Sequence, residues 1–337
     1  MILVLLRRAS TAPSVRVEIR GRVRIEPLGG RGVARAGTGL SEDFPLAAGA
    51  PARRIRAEEG PVVVNGKPYP GALRLAPGDR GLLPVIETDL EAYVVGVLAG
   101  ELGSGFTLAA LRAQAVASRT YVLSRLRSTP PGQPWHVADD VTAQVFVGVP
   151  PEPIFRKAAA DTGGLILAWR GAPIPAYFHS TCGGHTAPAE EVFGLAGIPP
   201  LSGVPCEFCR SAKYYRWETR LSADDVARAA SMPPPATGIS VLRRGFGGRA
   251  LSVLVEGARP ATLAASDLRL RLGAEKLRST LILDIARSGP DFVLSGGGWG
   301  HGVGMCQMGA QGMGRAGASA SDILAHYYPG AALTRLY

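Results

Sequence analysis

Apolar and polar positions alternate along much of the first 85 residues. The runs "SVRVEIRG" and "VRIEPLGG" place valine or isoleucine at every second position, as in strands that bury one face. Glycine and proline turns separate the runs, and "NGK" at 65–67 is typical of a tight hairpin. The pattern predicts a β-rich N-terminal region, residues 1–85. Because this region contains neither histidine nor cysteine, we interpret it as scaffold or as a contact surface.

The spacing of apolar residues becomes helical after residue 86. The run "IETDLEAYVVGVLAGE" predicts a short helix before a glycine-bounded turn. The run "LAALRAQAVASRTYVLSRLR" predicts a second helix, capped by the hydroxyl of Thr107. One side of this second helix should be buried, since a stripe at helical spacing comprises Leu108, Leu111, Ala115, Val122 and Leu126.

The rest of the chain alternates irregularly between the two kinds of element. Strands flank "WRGAPI", a hairpin surrounds "GFGG", and "SASDILAHYYPGA" predicts a short helix that ends near Pro329. We therefore expect a mixed, β-rich α+β fold. The N-terminal region should precede a single large catalytic domain, residues 86–337, with a short buried helix pair at its active site. Within that domain, residues 206–290 combine a cysteine knuckle with the hairpin.

Composition and charge narrow the class of protein. The 337 residues are 46% hydrophobic and 19% charged, as in a globular chain. The net charge of +10 is carried by 33 arginines and 4 lysines. They are spread along the chain, so we expect no nucleic-acid partner. The arginine excess has two interpretations, namely genomic composition or heat tolerance, and an anionic partner such as a carboxylate-bearing polymer.

The sequence shows neither a membrane span nor an export signal, although we expect an exported protein, periplasmic or extracellular. No run of 18 apolar residues occurs, so we predict no transmembrane segment. The apolar start "MILVLL" is shorter than the core of a signal peptide and is followed by two arginines.

Two cysteine-containing pairs predict a metal site. His179 and Cys182 in "HSTC", with Cys206 and Cys209 in "CEFC", would supply one imidazole and three thiolates, which suit a structural zinc ion, one per chain. His185 in "GGHT" is the substitute ligand. A disulfide between two of these cysteines, or free buried thiols, are the alternatives.

A glycine-rich segment, residues 295–317, contains one imidazole and one amide. Dense glycine around His301 and Gln307 lets backbone approach a ligand closely and removes the apolar neighbours of an ordinary core histidine. Cys306 lies beside His301, so a Cys/His nucleophile is a second interpretation.

Glu101 is the only acidic residue between Glu91 and Asp139. Its flanks "VVGVLAG" and "LGSGF" are apolar and glycine-rich, a setting that raises the pKa of a carboxyl group and suits a general acid. The alternative is a solvated surface residue. A single carboxylate does not fit a two-carboxylate glycosidase. It fits a reaction in which the substrate supplies its own nucleophile.

Three stretches together resemble one family. "GVLAGELGSGFTLAALRAQAVASRTYVL", "AYFHSTCGGHTAPAEEVFG" and "GWGHGVGMCQMGAQGMGRAG…ILAHYYPGA" are similar to the stage II sporulation protein D family, also called the LytB or amidase-enhancer family. The resemblance covers residue 86 to the C-terminus. It implies a lytic transglycosylase of the cell envelope that acts on peptidoglycan glycan strands, preferably strands without stem peptides. It also implies zinc near His179, and a wall amidase is a candidate partner.

The resemblance assigns roles residue by residue. Glu101 would be the catalytic acid/base, protonating the bond between N-acetylmuramic acid and N-acetylglucosamine before the muramic C6 hydroxyl closes a 1,6-anhydro ring. Arg119 would pair with a free lactyl carboxylate. The expected substrate-binding residues are Gln114, Arg119, Thr120, Tyr121, Ser180, His301 and Gln307.

The chain departs from the family pattern at four positions. Cys306 and Met308 stand where serine and tyrosine are common, Gly103 where proline is, and Gly100 where serine is. Two alternatives to the transglycosylase stay open, namely a wall peptidase or amidase that uses Cys306 and His301, and a wall-binding module that stimulates a separate amidase.

Overall fold

The computed structural model describes residues 1–29 and 34–337; Gly30 of "VRIEPLGG" lies outside them. The chain forms two compact units, Met1–Leu167 with Thr334–Tyr337, and Ala168–Leu333. The strand Gly81–Thr88 runs across the boundary expected after residue 85 and pairs with strands on both of its sides. The β-rich α+β class is confirmed.

The first unit is built on a nine-stranded sheet. Its strands are β1 (Ile2–Leu5), β2 (Ser14–Pro27), β3 (Arg35–Pro45), β4 (Arg53–Ala57), β5 (Val62–Val64), β6 (Lys67–Tyr69), β7 (Ala72–Gly78), β8 (Gly81–Thr88) and β9 (Val137–Ala138). The order is β6-β5-β2-β4-β7-β8-β1-β9, with β3 paired to β2. The predicted "NGK" hairpin is confirmed, since Val64 pairs with Lys67 and both Asn65 and Gly66 have positive φ.

Three helices complete the first unit, namely α1 (Leu90–Glu101), α2 (Leu108–Ser128) and α3 (Pro153–Asp161). Asp89 caps α1, and Thr107 caps α2 as predicted, accepting a hydrogen bond from the Ala110 N–H at 3.3 Å. The three helices pack around Leu98, Leu111 and Phe155. The buried surface of α2 is wider than the predicted stripe, because every residue from 113 to 122 is buried. Leu126, in contrast, is exposed.

The second unit consists of small sheets and short helices. Its strands are β10 (Leu165–Trp169), β11 (Ala172–Pro173), β12 (Phe178–His179), β13 (Trp217–Ser222), β14 (Gly238–Arg244), β15 (Ala250–Glu256), β16 (Ala261–Ala264), β17 (Ile282–Ser288), β18 (Asp291–Gly296), β19 (Met305–Cys306) and β20 (Ala332–Arg335). The unit boundaries cut β10 and β20. Its helices are α4 (Ala189–Phe193), α5 (Ala223–Ala229), α6 (Ala265–Leu272), α7 (Gln307–Arg315) and α8 (Ala320–Tyr327).

One hydrophobic core holds residues 217–294 of the second unit together. The antiparallel sheets β13-β18-β17 and β14-β15-β16 pack with α5 and α6 around Val226, Val253, Leu268 and Phe292. The predicted hairpin around "GFGG" is the β14–β15 pair, and the predicted C-terminal helix is α8, which Ser319 caps. No helix of the described residues is both long and apolar enough to cross a membrane.

Candidate functional site

Glu101 is the last residue of α1, and its side chain is partly exposed. Its Oε1 atom accepts a hydrogen bond from the backbone N–H of Val145 at 2.7 Å. This bond fixes the orientation of the carboxyl group. The carboxyl group of Glu101 is therefore fixed in orientation by the backbone and still accessible to solvent, unlike that of a mobile surface side chain.

Two glycines of α1 allow the segment 144–148 to reach Glu101. Gly96 and Gly100 lie one turn apart on the same face of the helix. A Cβ atom at Gly100 would lie 2.2 Å from the carbonyl oxygen of Val145, and one at Gly96 would lie 2.4 Å from the Phe146 ring. Neither position has room for a side chain. Gly100 is thus required by this packing.

Tyr93 anchors the same segment from the interior of α1. Its buried hydroxyl donates a hydrogen bond to Gln144 Oε1 at 2.7 Å, and its ring stacks on Phe146 with centroids 5.3 Å apart. Burial raises the pKa of Tyr93 well above its ordinary value, and the nearby Tyr121 and Glu101 raise it further. Tyr93 therefore stays neutral and keeps its role as a donor.

The polar residues at the centre of α2, from Gln114 to Thr120, do not face solvent. Arg119 is fully buried and makes a two-point ion pair with Glu91, with Nε to Oε1 at 2.8 Å and Nη2 to Oε2 at 2.6 Å. Its Nη1 donates to the Leu165 carbonyl at 3.0 Å. The structure therefore does not support the expected contact between Arg119 and a lactyl carboxylate.

Gln114 and Thr120 are fully buried as well. Thr120 Oγ1 donates to the Val116 carbonyl at 2.6 Å and accepts from the Leu167 N–H at 2.9 Å. Gln114 Nε2 donates to Ser118 Oγ at 3.1 Å. These bonds hold the fold and leave no surface for a polymer. Tyr121, at 7% exposed, is only slightly more accessible.

A second candidate site is a cluster of four thiols in the second unit. The Sγ atoms of Cys182, Cys206, Cys209 and Cys306 lie within 4.8 Å of one another, and all four residues are buried without a disulfide. Four sulfurs bound to zinc at ~2.3 Å lie about 3.8 Å apart, so this spacing suits one ion. The cluster could hold a metal. The fourth member is Cys306 rather than the expected His179.

The parallel pairing of β12 with β19 explains why Cys306, and not His179, belongs to the cluster. The pairing sets His179 opposite Cys306, and the backbone N–H of Cys182 points at Cys306 Sγ, 3.3 Å away. Cys306 also caps α7, accepting from the Gly309 N–H at 3.3 Å. The His179 ring turns aside, with Nδ1 3.1 Å from the Val303 carbonyl oxygen. His185, the substitute ligand, places Nδ1 2.6 Å from the Thr186 carbonyl oxygen and is not in the cluster either.

Arg249 provides an independent indication that the cluster carries negative charge. The side chain is completely buried, and its Nη2 donates to the Cys182 carbonyl at 2.7 Å. Within residues 1–29 and 34–337, its Nε and Nη1 atoms have no hydrogen-bond partner. Burial lowers the pKa of Arg249 to about 10, and the neighbouring cysteines oppose that shift. A buried cation is costly without an anion nearby. A divalent metal with four thiolates is a net dianion, so the surroundings fit such a centre.

His301 and Cys306 do not form a nucleophilic pair. The Val303 N–H donates to His301 Nδ1 at 3.0 Å, so Nε2 carries the proton and donates to the Phe178 carbonyl at 2.9 Å. Burial lowers the pKa of His301 to about 4. Both ring nitrogens of His301 are thus hydrogen-bonded to backbone atoms. Cys306 is completely buried, and burial raises the pKa of its thiol in the absence of metal.

The two remaining expected contacts differ in accessibility. Ser180 is partly exposed, with its Oγ 3.4 Å from Thr181 Oγ1, whereas Gln307 is buried at the start of α7. Sequence reasoning missed the Val145 N–H, the Glu91 partner of Arg119, and Arg249. A detectable signal existed for the first of these, because glycines four residues apart on a helix indicate a close approach.

Comparison with known proteins identifies the family of the chain. The model of a family described as Stage II sporulation protein matches residues 79–169, which include α1, α2 and Glu101. A family described as a domain of unknown function matches residues 207–304. The chain belongs to the stage II sporulation protein D family.

Individual relatives support this assignment over most of the chain. The chain is 30% identical to Stage II sporulation protein D of Bacillus subtilis over 259 residues, which cover 72% of this chain and 73% of the relative. It is 33% identical to an uncharacterized protein of Brachyspira hyodysenteriae over 272 residues, 79% of this chain and 72% of that one. It is 27% identical to the amidase enhancer of Bacillus subtilis over 289 residues, which cover 71% of this chain but 40% of that relative.

Proposed function

We propose that the chain is a lytic transglycosylase of the bacterial cell envelope. It cleaves the bond between N-acetylmuramic acid and N-acetylglucosamine in peptidoglycan strands and leaves 1,6-anhydromuramic ends. The observation that carries the proposal is the held, partly exposed carboxyl group of Glu101, within the part of the chain that matches the family.

One carboxyl group suffices for this reaction. Protonated Glu101 gives its proton to the glycosidic oxygen while the bond from that oxygen to muramic C1 breaks. The resulting carboxylate takes the proton of the muramic C6 hydroxyl, and the bond from O6 to C1 forms. The proton returns to Glu101 and no water is consumed. The Val145 N–H holds the carboxyl group in place during both transfers.

In this proposal, the metal has a structural role only. Zinc is the metal that suits Cys182, Cys206, Cys209 and Cys306, and four thiolates leave no open coordination position for a substrate. When bound, zinc supplies a cross-link between distant parts of the second unit. No step of the reaction passes through it.

The second candidate function is a non-enzymatic one. A relative named amidase enhancer favours a module that binds the wall and stimulates an amidase, and such an amidase is a candidate partner of this chain too. The Cys306–His301 hydrolase is disfavoured, since the thiol is buried and both imidazole nitrogens bond to backbone.

Product mass separates the three functions. Purified protein is incubated with intact peptidoglycan and with strands stripped of stem peptides, and the soluble products are analysed by mass spectrometry. We expect anhydro-disaccharide ends, more from stripped strands. Cut stem peptides would indicate the hydrolase. Unchanged glycan, with stimulation of an added wall amidase, would indicate the enhancer.

A further inference from the structure

A surface of the second unit interleaves aromatic rings with cations. The rings of Tyr214 and Trp299 meet edge to face with centroids 4.5 Å apart. Lys213 Nζ lies 5.1 Å and Arg278 Cζ 5.0 Å from the centroid of Tyr214. Arg216 extends the set, with Cζ 4.1 Å from the neighbouring Tyr215 ring. We call Lys213, Tyr214, Arg216, Arg278 and Trp299 the cation–aromatic surface.

The glycine-rich segment holds this surface in place. Gly298 donates its N–H to the Tyr214 carbonyl at 2.8 Å, and Gly300 donates to the Arg278 carbonyl at 3.0 Å. Both glycines have positive φ, and a Cβ at Gly298 would lie 2.5 Å from the Thr181 carbonyl oxygen. The Trp299 side chain is partly exposed between them. The glycines around Trp299 therefore present an indole to solvent at a fixed position.

Among residues 1–29 and 34–337, the cations of this surface have no carboxylate counter-ion. Within the described parts of the chain, no carboxylate oxygen lies within 4.0 Å of a charged nitrogen of Lys213, Arg216 or Arg278. Elsewhere in the same unit, Arg210 and Arg228 pair with acidic neighbours at 3.1 Å and 2.7 Å. Arg278 Nε is buried and has no hydrogen-bond partner in the described residues. In the described residues, three cations without a carboxylate partner thus lie beside partly exposed rings, an arrangement that suits an anion with an apolar face.

We propose that the cation–aromatic surface binds the acidic sugar of a glycan strand. Rings pack against the C–H face of a sugar, and ammonium or guanidinium groups pair with its carboxylate. This inference rests on the proposed function and names the part of the substrate that is recognised, namely the lactyl carboxylate of muramic acid, which is charged only where the stem peptide has been removed. It replaces the role that the resemblance gave to Arg119.

Binding to strands of matched backbone tests the proposal. The full-length Glu101→Gln chain, with its cysteine cluster intact, is titrated by calorimetry with soluble stripped glycan strands and with chitohexaose, which lacks the lactyl group. We expect K213Q/R278Q in this background to bind stripped strands about tenfold more weakly and to leave the weak binding of chitohexaose unchanged. Trp299→Ala should weaken the binding of both.

The control removes the same charge elsewhere. R210Q/R228Q also loses two cations, both ion-paired and outside the surface, and should bind stripped strands as the parent does. Lys213→Gln alone, at an exposed position, serves if the double variant melts at a lower temperature. Equal affinity of K213Q/R278Q and R210Q/R228Q for stripped strands would overturn the proposal. So would an equal loss of affinity for chitohexaose, which carries no lactyl carboxylate. Neither outcome depends on cleavage, so this test is separate from that of Glu101.

Discussion

Arg119 and Glu91 form a two-point ion pair inside the first unit, and the guanidinium of that pair is completely shielded from solvent. The Tyr337 hydroxyl donates to the same carboxylate, 2.6 Å from Glu91 Oε1. A side chain that the sequence suggests for substrate instead ties α2 to the start of α1 and to the C-terminal residue. Loss of the Arg119 side chain should therefore lower stability and have no direct effect on substrate binding.

Arg119→Met should lower the free energy of unfolding by about 3 kcal/mol, because it leaves the Glu91 carboxylate without its buried partner. Denaturant unfolding of the variant and the parent measures this difference. Arg112→Met is the matched control, since Arg112 pairs with Asp161 at the surface and its loss should cost much less. Equal losses in the two variants would contradict the interior role of Arg119.

The same pair predicts how stability depends on pH. Burial raises the pKa of Glu91, but the hydrogen bonds from Arg119 and Tyr337 outweigh it, so the pKa lies below its ordinary value of 4.5. A depressed pKa contributes stability above the unfolded value, and this stability is lost as pH falls through the folded value. The stability difference between the parent and Glu91→Gln should thus be full at pH 6 and shrink below about pH 4. A difference that stays constant in unfolding experiments from pH 6 to pH 3 would count against this assignment.

The sequence predicts local structure better than the partners of distant residues. The cap at Thr107, the hairpin at 65–67 and the helix Ala320–Tyr327 depend on neighbours in the chain, and all three were predicted. The fourth thiol was not, because the parallel pairing of β12 with β19 brings Cys306 to a residue more than a hundred positions away. Nor was the partner of Arg119, since nothing in a helical pattern says which carboxylate a buried guanidinium will meet.

The thiol cluster predicts one zinc per chain, and removing it should lower thermal stability. Cys306→Ser should lower the retained zinc well below one equivalent, whereas His179→Gln should keep it near one. Metal analysis of protein purified without chelator measures both. Replacement by Co²⁺ adds a second readout, because its thiolate absorption reflects the number of sulfur ligands. If His179→Gln loses the metal and Cys306→Ser retains it, the ligand set of one imidazole and three thiolates is the correct one.

Gly100 should be essential for activity although it carries no functional group. A methyl group there would push Val145 away and release the hydrogen bond that orients Glu101. A displacement of about 1 Å at a catalytic group can cost about 100-fold in rate, so Gly100→Ala should lose roughly that much. Gly103→Ala is the control, because a Cβ there meets nothing within 4 Å. Similar turnover of stripped strands by the two variants would show that the Val145 contact is unimportant.

The turnover of stripped glycan strands by Glu101→Gln tests the central claim most directly. The substitution keeps the size of the side chain but removes the transferable proton, and general acid–base catalysis contributes about 10²–10⁴-fold. The exposed Glu218 provides the matched control, Glu218→Gln, which should release anhydro-disaccharides at the parent rate. We predict that Glu101→Gln binds the strands as the parent does but releases these products at least about 100-fold more slowly. Release by Glu101→Gln at the rate of Glu218→Gln would contradict the account.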